Sequence, residues 1–180
     1  MRFPDEILLF GSPYLDGPRL QVPSGPARRR TSEGFTDYSI LQEQDSFSIR
    51  ESGQTRGSNF DDIVDASFGS FIFASKYFLF RQVAEITLTL VDPTAWNSLR
   101  KSIDAAGLAP GWTSRRASGT NGFPRTVYFK SSDPQEFYMT RTGDTRTSHT
   151  IVRSFRDIND MYSASFDVPS LGLSVPDTTT

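Results

Sequence analysis

The chain has 180 residues, 19 basic and 21 acidic side chains, a formal charge of −2 and no cysteine. That excludes disulfide scaffolds, thiolate chemistry and zinc fingers, and it argues against a general polyanion binder. Hydrophobic residues make up 36%, below the ~45–50% of a compact domain, and they concentrate between Phe60 and Met161 with polar flanks.

At the N-terminus the apolar run Ile7 to Phe10 follows Asp5 and Glu6 and is too short for a secretory signal. No apolar stretch approaches the ~18 residues of a membrane span. These readings predict no membrane partner and a cytoplasmic location. Residues 11–58 carry Pro13, Pro18, Pro23 and Pro26 among six glycines, from Gly11 to Gly57. Such density disfavours long helices and central strands, so residues 1–58 are predicted to be an extended arm. Its short apolar pieces, such as Tyr38 to Leu41, would dock on a surface. Arg28, Arg29 and Arg30 form a basic cluster within it.

A β-rich core is predicted over 59–168. Phe71 to Phe80, rich in Phe, Ile and Tyr, reads as a strand. Ile86, Leu88 and Leu90 alternate with Thr87 and Thr89, the pattern of a half-buried antiparallel strand. Asp92 as N-cap and Pro93 at the first helical position open a helix over about 93–106. Trp96, Leu99, Ile103 and Ala106 fall at helical spacing, Gly107 supplies the C′ residue and Pro110 prevents continuation. Arg125 to Lys130 reads as a strand. Glu136 to Arg141 and Thr147 to Phe155 read as a hairpin turning at Gly143-Asp144, with a last strand over Ser163 to Val168. Residues 169–180 read as a polar C-terminal tail. The predicted fold class is α+β and β-rich: an antiparallel sheet or sandwich, one main packed helix, and extended N- and C-terminal arms.

Few residues suggest chemistry. His149 is the only histidine, and no G-x-S-x-G elbow presents a nucleophile to it, so a structural role is expected. Asp61-Asp62-Ile63-Val64-Asp65 resembles the D-D-x-x-D motif of isoprenoid synthases. That motif implies a helix placing Asp61 and Asp65 on one face to hold Mg²⁺. The synthases are large and all-helical, so a solvated acidic turn with a capping role is expected instead. No P-loop, no G-x-G-x-x-G and no metal-spaced His/Cys set occurs. Catalytic residues, cofactors and metals are therefore not expected.

Of the basic residues 16 are Arg and three Lys, a bias suited to interfaces and phosphate contacts. Arg115 and Arg116 join Arg28, Arg29 and Arg30 as candidate binding residues. Both clusters also spell the R-R-x-S pattern that basic-directed kinases accept. Residues 113–157 carry eight basic and four acidic side chains. The stretch Gly122 to Phe129 resembles the aromatic strand of an RNA-recognition motif, and Ile86 to Leu90 with the following helix resembles that fold's opening strand and helix. Thr87 stands where a stacking aromatic is needed and Pro124 interrupts the glycine–aromatic pattern, so no residue role carries over.

Polar arms that cannot bury enough surface alone suit docking on neighbouring subunits. The leading expectation is a structural assembly protein, most concretely a viral capsid or capsid-decorating subunit, present in the virion, with homo- or hetero-oligomeric protein partners. An RNA- or DNA-binding module using Arg-rich loops is the second. A small carboxylate-dependent enzyme using Asp61, Asp62 and Asp65 is the third.

Overall fold

A computed structural model describes residues 10–26, 34–83, 93–117, 125–140 and 143–163. The chain is α+β and β-rich, and it divides into two compact units: residues 1–75 with 110–144, and residues 76–109 with 145–180.

The first unit is an eight-stranded antiparallel sheet. Its strands are β1 (Tyr14–Asp16), β2 (Arg19–Val22), β3 (Gly34–Gln42), β4 (Phe47–Thr55), β5 (Ser58–Phe68), β6 (Trp112–Ala117), β7 (Arg125–Lys130) and β8 (Asp133–Thr140). They lie in the order β1-β2-β3-β4-β5-β8-β7-β6. Five strands meander from one edge. After a helical excursion the chain returns at the far edge and works back to meet β5.

Alternation along each strand gathers the buried apolar side chains on one face, while the smaller Ser39, Ser48 and Ser67 are buried on the other. Tyr38 and Ile40 of β3, Ile49 of β4, and Ala66 and Phe68 of β5 are buried on the apolar face. Tyr138, Tyr128 and Trp112 continue that face across β8, β7 and β6. The seam between the two runs of strands is narrow, with only Ala66, Ser67 and Phe68 pairing with Thr140, Met139 and Tyr138. Stacked rings reinforce it. The Tyr128 and Tyr138 rings lie 4.5 Å apart and nearly parallel, and Phe68 stacks on the other side of Tyr138 at 6.4 Å.

The second unit is helical. Its elements are the end of α1 (Phe71–Tyr77), a π-helical turn (Phe78–Val83), α2 (Pro93–Ala106), α3 (Arg146–Ile151) and α4 (Phe155–Ser163). Ser148, fully buried, ties the loop after α2 to α3: its Oγ accepts from the Ala109 amide at 2.9 Å and donates to the Thr145 carbonyl at 2.6 Å. Arg146 pairs with Asp104 at 3.3 Å. Ser154 caps α4, exchanging bonds with Asp157 in a capping box.

Several expectations need correction. The predicted arm over 1–58 is not separate from the sheet, because residues 14–55 supply four of its eight strands and β3 and β4 are central. The prolines and most of the glycines fall between these strands: Gly17-Pro18 joins β1 to β2, Pro23 and Pro26 follow β2, and Gly57 turns β4 into β5, whereas Gly34 opens β3 and Gly53 lies within β4. The stretch Phe71 to Phe80 is helical, not extended. Ser70 starts it, its Oγ and carbonyl accepting from the amides of Phe73 and Ala74. Within the apolar run the buried residues Ala74, Tyr77 and Phe78 recur at helical spacing. Thr147 to Phe155 is not the return strand of a hairpin. It forms α3 and the start of α4, and Thr147, Thr150 and Ile151 bury one helical face. Here the Thr150 hydroxyl folds back onto the Arg146 carbonyl, which lets a β-branched residue sit in a helix. On α2 Ile103 is buried, whereas Ala106 is exposed. Gly107 ends it at φ +70°. Asp92, Ile86 to Leu90, most of the expected strand over Ser163 to Val168, and the tail 169–180 lie outside the described residues.

Candidate functional site

The three acidic residues singled out above lie on β5, not on a helix or in a loop turn. Two register shifts interrupt the β4–β5 ladder, and Asp62 sits at one of them with φ +50°. The bulge aims its carboxylate across the sheet. Arg19 of β2 donates to Asp62 Oδ1 at 2.7 Å, and Arg50 of β4 donates to Oδ2 at 2.5 Å. Arg50 also reaches Glu43 at 2.8 Å, and the Ser48 hydroxyl joins the same carboxylate at 3.1 Å. Asp61 accepts from the Ser52 hydroxyl at 2.9 Å. Asp61, Asp62 and Glu43 therefore tie β2, β4, β5 and the turn between β3 and β4 together, and among the described residues no group of three or more His, Asp or Glu could hold a metal ion.

The Arg19 hydrogen bond, helped by the charge of Arg50, holds the Asp62 carboxyl below its ordinary value of 3.8. The Arg50 hydrogen bond does the same for Glu43 below 4.5. A carboxyl depressed in the folded state binds fewer protons than in the unfolded chain. Its stabilisation is therefore present above the unfolded value and lost as pH falls through the folded one. Both side chains are more than a third exposed, at 41% and 38%, so screening keeps the joint effect to about 1 kcal/mol. Thermal melts from pH 6 down should show a falling transition temperature below about pH 4.5. In Arg50→Met that slope should flatten. An unchanged slope would remove the network from the stability account.

His149 lies on α3, its Nε2 3.0 Å from the Gly107 carbonyl. It joins α3 to the end of α2.

The basic candidates separate. Arg28, Arg29 and Arg30 lie outside the described residues. Arg115 and Arg116 are neighbours on β6, opposite Val127 and Thr126 of β7, and so face opposite sides of the sheet. On the face away from the buried tyrosines, Arg115 borders an open groove of ≈ 410 Å³ lined also by Val127, Phe129, Pro134 and Phe137. Phe129 of β7 pairs directly with Phe137 of β8, and both rings are half-buried. The Arg115 guanidinium lies 5.8 Å from the centre of the Phe129 ring. Arg125 is on the same strand face two and four residues before Val127 and Phe129. Among the described residues neither Arg115 nor Arg125 forms an ion pair. The sequence singles out Arg115 and the aromatic strand that ends at Phe129, but not Arg125 or Phe137 as their companions. The available signal was the alternation of Arg125, Val127 and Phe129 around Tyr128.

No protein-family model, curated protein or solved structure matches this chain. Among the described residues no helix is long and apolar enough to cross a membrane.

Proposed function

We propose that the chain is a structural assembly subunit, and that its copies join through the β1 edge of the sheet. The observation that carries this reading is the chemistry of that edge. The sheet is open, so each end strand keeps one side of its backbone without a strand partner among the described residues. Such edges are templates for strand addition. The two edges differ. β6 carries Arg115 and Arg116, whose like charge opposes pairing with a second copy. β1 carries Tyr14 and Leu15, which are 56% and 77% exposed. A neighbour lying along β1 would cover both side chains while satisfying the outer backbone groups. A capsid or capsid-decorating subunit is the most concrete form of this reading, resting on architecture alone.

Deleting residues 1–58 would remove half of the strands, so a truncation cannot isolate the edge. A point change is the appropriate test. Burying one leucine contributes about 1.5–3 kcal/mol, so Leu15→Lys should weaken self-association tenfold or more while circular dichroism and melting stay unchanged. Self-association of Leu15→Lys equal to that of the parent chain contradicts the assignment.

A further inference from the structure

We infer that the groove beside β6 is a binding site for single-stranded nucleic acid, with one base stacking on Phe129 and the adjacent phosphates held by Arg115 and Arg125. The inference is independent of the assembly reading, because it uses the opposite edge of the sheet.

The groove combines two parts that serve different pieces of a nucleotide. Its floor is flat and apolar: Phe129 and Phe137 lie side by side on paired strands, flanked by Val127 and Pro134. Half-exposed rings on a sheet surface offer a stacking area to any base, because every base has a π-face. The volume, ≈ 410 Å³, lies at the small end of the range for ligand sites and suits one base with its sugar rather than a folded partner. Its rim is cationic. The Arg115 guanidinium lies over the Phe129 ring at 5.8 Å from its centre, within cation–π range, so it puts a cation beside the apolar floor. Arg115 pairs across the ladder with Val127, so Arg125 is its diagonal neighbour, about 7–8 Å away along the strand pair. A phosphate chain following the β6–β7 edge meets both.

The neighbouring acids do not neutralise this rim. Glu136 is paired with Lys130 at 2.6 Å, and Asp133 accepts from the Gln135 amide in its own turn. A duplex keeps its bases stacked on one another and out of reach of the floor. An acidic peptide would satisfy the arginines but leave the two phenylalanine rings without a flat partner. Guanidiniums without an ion pair among the described residues, beside an apolar aromatic floor, therefore favour an unpaired strand.

Fluorescence anisotropy of 5′-fluorescein-labelled decauridylate with the full chain tests the site. Saturable binding is expected, weakening about sevenfold as salt rises from about 50 to about 200 mM, the dependence for two neutralised phosphates on a single strand. Phe129→Leu should weaken binding about tenfold, the loss of one stacked base. Arg115→Lys keeps the charge and the fold but loses the guanidinium, so it should also weaken binding severalfold, and it decides the matter if the leucine variant does not fold. Arg153→Ala, which removes an equal charge from the helical unit, should leave binding unchanged. No anisotropy change at low salt overturns the inference. So does equal binding of Arg115→Lys and the parent chain, equal loss in Arg153→Ala, equal binding of a duplex of the same length, or tighter binding of a decaglutamate peptide.

Discussion

Tyr138→Ala should destabilise the protein by about 3–5 kcal/mol, the range for truncating a buried aromatic side chain. Tyr138 is fully buried and sits where the two runs of strands meet. Its ring stacks on Tyr128 at 4.5 Å and on Phe68 at 6.4 Å, and Trp112 leans on it at 5.4 Å. Its hydroxyl donates to the Asp144 carbonyl at 3.1 Å, which holds the chain leaving β8. Only three residue pairs join β5 to β8, so few backbone bonds compensate for the lost ring. A domain with a total stability of about 5–15 kcal/mol would lose a large share of it. Urea unfolding followed by tryptophan fluorescence gives the number. Tyr138→Phe separates the ring from the hydroxyl and should cost only about 1 kcal/mol. A loss below about 1 kcal/mol for Tyr138→Ala would mean that the ring stack does not hold the seam.

Gly53→Ala should have the second largest effect, for a different reason. Gly53 lies inside β4, between Thr36 of β3 and Phe60 of β5, beside one of the β4–β5 register shifts. A Cβ built there collides with the Phe35 carbonyl oxygen. That atom is backbone and cannot swing away as a side-chain end would, so the ladder must open locally. Forcing extra volume into such a contact costs about 1–3 kcal/mol. Gly57, in the turn between β4 and β5, provides the comparison. It has φ +95° and open space around its Cα. Gly57→Ala should therefore cost only the backbone strain, about 1–2 kcal/mol. Equal stability of Gly53→Ala and the parent chain would show that β3 and β4 are packed less closely than described.

The two halves of the fold were legible to different degrees, for physical reasons. The helix from Pro93 to Ala106 was readable because its stop signal is a conformational requirement: Gly107 takes a positive φ that other residues resist. The strand at Arg125 to Lys130 was readable from aromatic and β-branched content. The strands over 34–55 are hidden, because dense Pro and Gly in a sequence read as a barrier to sheet structure. In fact the breaks are spaced, and between them Tyr38, Ile40 and Ile49 supply a buried face. Phe71 to Phe80 misled for the opposite reason. A continuous apolar run fits either period, and only the capping bonds of Ser70 distinguish them.

The candidate sites follow the same division. Arg115 stood out as a charge, but its companions depend on strand register. Phe137 comes beside Phe129 only because the turn after Lys130 sets the β7–β8 pairing. Likewise, no local pattern announces that Asp62 meets Arg19, since their approach requires three intervening strand pairings and a bulge.

The central claim is that copies of this chain join through the β1 edge. Sedimentation velocity of the 180-residue chain over a wide concentration range tests it most directly, run in parallel with Leu15→Lys. The parent chain should sediment as a species of several subunits that dissociates on dilution, and the variant should shift that dissociation to concentrations at least tenfold higher. A parent chain that remains monomeric at every concentration would contradict the claim.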